Sequence, residues 1–417
     1  VSANGRIARI GGFVIHGFRR FARRSRRARL ATRLAVAVLG AALLLPASPS
    51  PAAPEWEAVA GGWVSGPVEY VSTLPIDAGG GVGAVRAGKH LYVTTFRSFS
   101  IYDVSDPTAP QMLSTTPSPA HVFNEQPDTN GKILILTRDY PDTTLEVWDV
   151  TDKAAPTKLA DVALPKPDHM WTCVLRCRYA YGGRGTIVDL RNPSVPEIVG
   201  DWTDGLVIER FHAIEEVAPG RVLTGTRPVF YLDGRKKPSK PRVLVTQPLA
   251  ESPGSGPGLA AVNPPPAFVD WPVNATHRYA LISTETPFSG PCSERSGSFA
   301  TYDTRKWRKL HSFKEVDRFQ ISEPGGVYSE GRAPYDAWGC SSYAFDVAPD
   351  YARSGRVAVA WFENGMRLLG VDARGKLTEV GGFIPVGGST SQPIWLDDST
   401  LYLVDIYRGL DILTVGE

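Results

Sequence analysis

The chain of 417 residues carries a formal net charge of +2, but its first 54 residues hold ten arginines and no acidic residue. Without that leader, 35 Lys+Arg face 43 Asp+Glu, a net charge of −8, which speaks against nucleic acid as a partner. The roughly 360 residues that remain exceed a typical domain, yet a regular repeat can close into one domain of that size.

The basic leader runs into an apolar stretch, LAVAVLGAALLL (34–45), and then into a small-residue and proline stretch with an A-x-A-like cleavage region at Ser50, Ala52 and Ala53. This is the layout of a secretory signal. The apolar run is much shorter than the roughly 20 residues a spanning helix needs, so residues 1–53 are expected to be removed, leaving no stable membrane span. SRRARL (25–30) is a poor twin-arginine match, and the export route stays open. No cysteine lies near the cleavage region for a lipid anchor.

After a linker at 54–66, one phrase recurs: IYDVSDPTAP (101–110), VWDVTDKAAP (147–156) and IVDLRNPSVP (187–196), with Asp103, Asp149 and Asp189 spaced 46 and 40 residues apart. That period suits a four-stranded propeller blade. Each phrase follows another β-rich run, LYVTTF (91–96), ILILT (133–137) or YAYGG (179–183), and its Asp-x-x-[Asp/Asn]-Pro element marks the turn after a third strand. The segment 100–110 resembles the "GLRIVDVSDPANP" strand of LVIVD-repeat proteins. The resemblance is close in blades one to three. Later repeats, FATYDTRKWRKLHSF (299–313) and MRLLGVDARGKLTEVGGF (366–383), keep strand, turn and strand but lose Asp-Pro. It implies an all-β, exported repeat scaffold and no particular activity.

Blades are expected at 80–117, 118–166, 167–203, 208–250, 260–314, 338–387 and 388–416. The last supplies three strands. PVEYVSTLP (67–75) resembles the outermost strands PQMLSTTP (110–117) and PEIVGDW (196–202), so an N-terminal strand would complete the last blade and close a single propeller over 67–417. Seven blades are expected; six and eight stay open because blade four is weakly marked.

Three innermost strands begin with histidine: HVFNE (121–125), HMWTC (169–173) and HAIEE (212–216). Innermost strands line a propeller's channel, so His121, His169 and His212 are candidate ligands for a divalent metal, with Glu125, Glu216 and Asp346 as channel carboxylates. The competing role is a repeat histidine bonded to neighbouring blades. A second recurrence places Arg97, Arg138, Arg184, Arg227 and Arg408 in the loops between second and third strands, on one face. There they would attract a carboxylate or phosphate, or pair with acidic neighbours. The same face is expected to carry the long insertions 227–242, with the basic GRKKPSKPR, then 285–298 and 317–339.

Four cysteines in an exported chain suggest two disulfides. Cys173 and Cys177 flank a predicted hairpin turn. Cys292 and Cys340 belong to loops of one face, so the pairs are expected to be Cys173–Cys177 and Cys292–Cys340; Cys173 as a thiolate ligand is the alternative. AGGGVGAVRAG (78–88) is not followed by a helix and fails as a dinucleotide fingerprint, and glycine there lets an inner strand pack near the axis. The Asn274 sequon carries no weight. The leading reading is a monomeric, non-enzymatic binding module for a protein or small anionic ligand on the long-loop face. The alternative is a metal-dependent oxidoreductase or hydrolase using the channel histidines.

Overall fold

The computed structural model describes residues 55–76, 80–118, 124–138, 143–249, 266–272, 278–286, 292, 297–321 and 339–416. The leader 1–53, His121, the Asn274 sequon and most of the insertions 285–298 and 317–339 lie outside them.

Dense β-branched and aromatic runs separated by Gly, Asp and Pro form seven antiparallel sheets, one per blade. The innermost strands are Gly81–Ala87, Asp128–Thr129, Trp171–Val174, Arg210–Ala218, Pro266–Asp270, Phe345–Val347 and Thr390–Trp395. Each blade is a simple meander outward, so the starts of the first strands and the loops between second and third strands share one face of the ring.

The core consists of apolar wedges between neighbouring blades. Tyr92, Phe99 and Ile101 of blade one pack on Leu134, Leu136 and Trp148 of blade two. Ile135, Leu145 and Val147 of blade two pack in turn on Trp171, Ala180 and Val188 of blade three. The middle strands are therefore covered on both faces, which is why they read as continuous apolar runs such as ILILT. Each fully buried side chain of this kind contributes roughly 1.5–3 kcal/mol. Outermost strands, such as Gln111–Pro117, are mostly exposed.

The recurring aspartate closes the turn after the third strand by accepting the amide two residues on. Asp103 accepts from Ser105 at 2.8 Å, Asp149 from Thr151 at 2.8 Å and Asp189 from Arg191 at 3.0 Å. The device persists where the proline is lost: Asp233 accepts from Arg235, Asp303 from Arg305 and Asp372 from Arg374. Tyrosines of the second strands reach across to the next blade's turn. Tyr181 donates to the Pro238 carbonyl, Tyr279 to Ala373 and Tyr402 to Pro107.

The strand Val68–Leu74 pairs antiparallel with Gly409–Val415 and supplies the fourth strand of blade seven. Residues 54–66, read as a linker, instead contain a hairpin of Trp56–Val59 and Gly62–Ser65 that pairs with Leu377–Pro385 and extends blade six to six strands. The hairpin carries no repeat phrase because it caps a blade rather than starting one. The basic GRKKPSKPR also departs from expectation. Val229–Asp233 is the third strand of blade four and Arg242–Gln247 the fourth, so residues 234–241 leave from the face opposite the 2–3 loops.

Cys173 is bonded to Cys177 and Cys292 to Cys340, so Cys173 is not a thiolate ligand. The two disulfides point to an oxidising, extracytoplasmic setting. Among the described residues no helix is long and apolar enough to cross a membrane.

Candidate functional site at the channel end

The segment leading into blade two crosses toward blade four. The Gln126 amide donates to the Ile214 carbonyl at 2.7 Å and to Glu215 Oε2 at 3.1 Å, and Gln126 also forms a parallel bridge with Met170. These bonds hold Glu125 beside His169 and His212. Gly83 makes the approach feasible: a Cβ there would stand 2.2 Å from the Glu125 carbonyl oxygen. Gly183 does the same for blade four, since its Cβ would meet the His212 carbonyl at 1.9 Å.

Glu125 Oε2 lies 3.6 Å from His169 Nε2 and 3.5 Å from His212 Nε2. Glu285, from the 2–3 loop of blade five, places Oε2 3.5 Å from the same His212 nitrogen. The two imidazoles meet edge to face with centroids 5.5 Å apart, and Phe268 and Tyr343 wall His212 at 6.1 and 5.8 Å. Glu125 and Glu285 are 9% and 7% exposed, so this is a polar centre inside an aromatic enclosure.

Its electrostatics follow from that burial. Desolvation alone would raise the Glu125 pKa, but His212 and His169 outweigh it and hold the carboxyl below its ordinary value. Burial pushes Glu285 up to about 7, with His212 opposing. For His212, desolvation disfavours the imidazolium, yet Glu125 and Glu285 prevail and its pKa is raised. Asp168, next to His169, is driven up to about 7 by burial and accepts the Arg184 amide at 2.7 Å.

Further along the channel, a cavity of about 300 Å³ is lined by Gln126, Asp128, Glu215, Asp270 and Asp346. Burial raises all four carboxyls, Asp128 and Asp346 to about 6 and Asp270 to about 7. Asp128 accepts the Cys173 amide at 2.6 Å and Asp346 the Trp395 amide at 2.8 Å, which pins adjacent blades. Glu216 accepts the Leu175 amide at 2.8 Å in the same manner.

Of the sequence-predicted residues, then, His169 and His212 come together and Glu125 joins them. Glu216 and Asp346 serve blade contacts instead. Glu285 and Tyr343 carry no motif and arrive from blades five and six; only a three-dimensional arrangement could have found them.

The five arginines divide. Arg138 stands 3.7 Å from Glu146, Arg227 is buried against Glu209 and the Leu249 carbonyl, and Arg408 binds Asp411, Thr73 and two backbone carbonyls. Glu146 and Asp411 are completely buried, and buried carboxylates require such partners. Arg97 is exposed and Arg184 half-buried, so the expected ring of five charges contracts to these two.

The chain matches no protein-family model and no curated protein in sequence. Among solved structures it is similar to the WD40 repeats of RRP9, with a TM-score of 0.54 at 10% identity, covering 84% of this chain and 99% of that one. It is also similar to U3-55K, with a TM-score of 0.52 at 9% identity, covering 84% and 98%. At such identities the likeness establishes the seven-bladed propeller and nothing about ligands.

Proposed function

We propose that the protein is an exported propeller of the LVIVD-repeat type that acts as a binding module, engaging its ligand at the channel mouth on the face of the 2–3 loops. The observation that carries this reading is the asymmetry between faces. The opposite face is built largely of turns whose aspartates cap their own amides, whereas toward the 2–3 loops lie the side chains of Glu125, His169, His212 and Glu285, a polar cluster that caps no turn. Cys292, between the second and third strands of blade five, is bonded to Cys340 at the start of blade six; loops carried on a rigid scaffold are where recognition usually resides. Arg97 and Arg184 supply positive charge for an anionic group of a small ligand or partner protein.

A photo-reactive amino acid at position 97 or 184 is expected to cross-link a partner in the extracytoplasmic fraction, and Arg97→Glu with Arg184→Glu to weaken capture by the unlabelled chain. The same label at Lys236, in the opposite-face turn, is expected to yield no such adduct. Equal adducts from Lys236, or none from 97 and 184, would sink the assignment.

A further inference from the structure

We propose that Glu125, His169 and His212 form a binding site for one divalent transition-metal ion of the zinc class, with Glu285 as the adjoining carboxylate. One ligand atom from each of the three lies within 4.8 Å of the others. Around a tetrahedral ion with bonds of about 2.0–2.1 Å, ligand atoms stand about 3.3–3.4 Å apart. The separations of 3.5 and 3.6 Å from Glu125 Oε2 to the two imidazole Nε2 atoms match that edge and are too long for good hydrogen bonds.

The surroundings of that oxygen fit the same reading. Glu125 Oε2 is buried, and among the described residues it faces the two imidazoles and the Tyr343 hydroxyl. Tyr343 is 3% exposed and stands close enough to interact electrostatically with both Glu125 and Glu285. A cation at the Glu125 oxygen would compensate the buried carboxylate. Two imidazoles and one carboxylate are borderline donors that suit zinc rather than magnesium or calcium, which take oxygen. His121, expected as the third histidine, lies outside the described residues. The site sits beneath the 2–3 face yet does not depend on what that face binds.

The test uses the full chain with both disulfides formed, purified without a histidine tag, stripped by chelator and then equilibrated with zinc. After desalting, elemental analysis is expected to find about one zinc per chain, and the cobalt-substituted protein to show the intense visible absorption of a tetrahedral centre. His212→Ala is expected to lower retained zinc at least tenfold, on the order of the loss seen when a ligand's support is removed. His311→Ala, at an exposed turn of blade five, should leave it unchanged. Should His212→Ala fail to fold, the isosteric Glu125→Gln and the cobalt spectrum of the parent chain decide the matter. A folded parent chain that retains no zinc, or ligand variants that retain as much as the parent, would overturn the site and would identify Glu125 as the counter-ion of protonated histidines.

Discussion

Each buried acid in this propeller has a position-dependent task. Glu146 accepts Lys158 at 2.7 Å, Ser118 at 2.9 Å and the Trp148 indole at 3.0 Å, and those partners hold its carboxyl below the ordinary range despite burial. Burial dominates at Asp346, outweighing the Trp395 and Val347 amides and the charge of Arg86, and raises it to about 6. A raised folded-state pKa means that the native protein binds more protons than the unfolded chain between the ordinary carboxylate value and that figure. The stability so contributed is complete below the unfolded value and is lost as pH rises through about 6. Asp346→Asn is therefore expected to melt closer to the parent, or above it, at neutral pH than at pH near 4.5. A series of melting temperatures across that interval checks the sign; a gap between variant and parent that is constant with pH would refute it.

At the level of elements, the two disulfides close loops of different length. Chain-entropy reasoning assigns about 4 kcal/mol to Cys292–Cys340, with a sequence separation of 48, and about 2 kcal/mol to Cys173–Cys177, with a separation of 4. The shorter bridge still has local work, because Leu175, Arg176 and Cys177 all lie in the left-handed region with φ near +56 to +61°, where non-glycine residues are disfavoured. Replacing both cysteines of the 292–340 pair by alanine is expected to lower the denaturation midpoint more than the same change at 173 and 177. Urea titrations of the two double variants decide the order.

For the whole molecule, closure of the ring depends on the N-terminal strand. Thr73 donates to Asp411, and Arg408 links that carboxylate to Thr73 and to the Gly61 carbonyl. A chain beginning at residue 67 would lose only the hairpin added to blade six, whose exposed fourth strand then resembles those of other blades. One beginning at residue 76 would leave Gly409–Val415, paired only with Thr400–Asp405, as a largely buried strand turned into an edge, a template for association. The first truncation is expected to unfold in one cooperative transition and to sediment as the parent does. The second is expected to sediment as larger species and to lose that single transition.

The repeat was legible because each blade solves the same local problem with the same residues: apolar runs for strands covered on both faces, and an aspartate that caps the turn after the third strand. Asp103, Asp149 and Asp189 declared themselves through spacing, and both cysteine pairs followed from placing their loops on blades. Asp233, Asp303 and Asp372 make the same turn without the proline, so blade four looked blank and its basic segment was assigned to the wrong face. The histidine recurrence marked the channel, but the centre there was decided in three dimensions. Gln126 reaches past blade three to Ile214, carrying Glu125 to His212, and Glu285 and Tyr343 come from blades that carry no sign of it. Local turn chemistry is written in neighbouring residues, whereas a channel site is assembled from strands that meet only once the ring has closed.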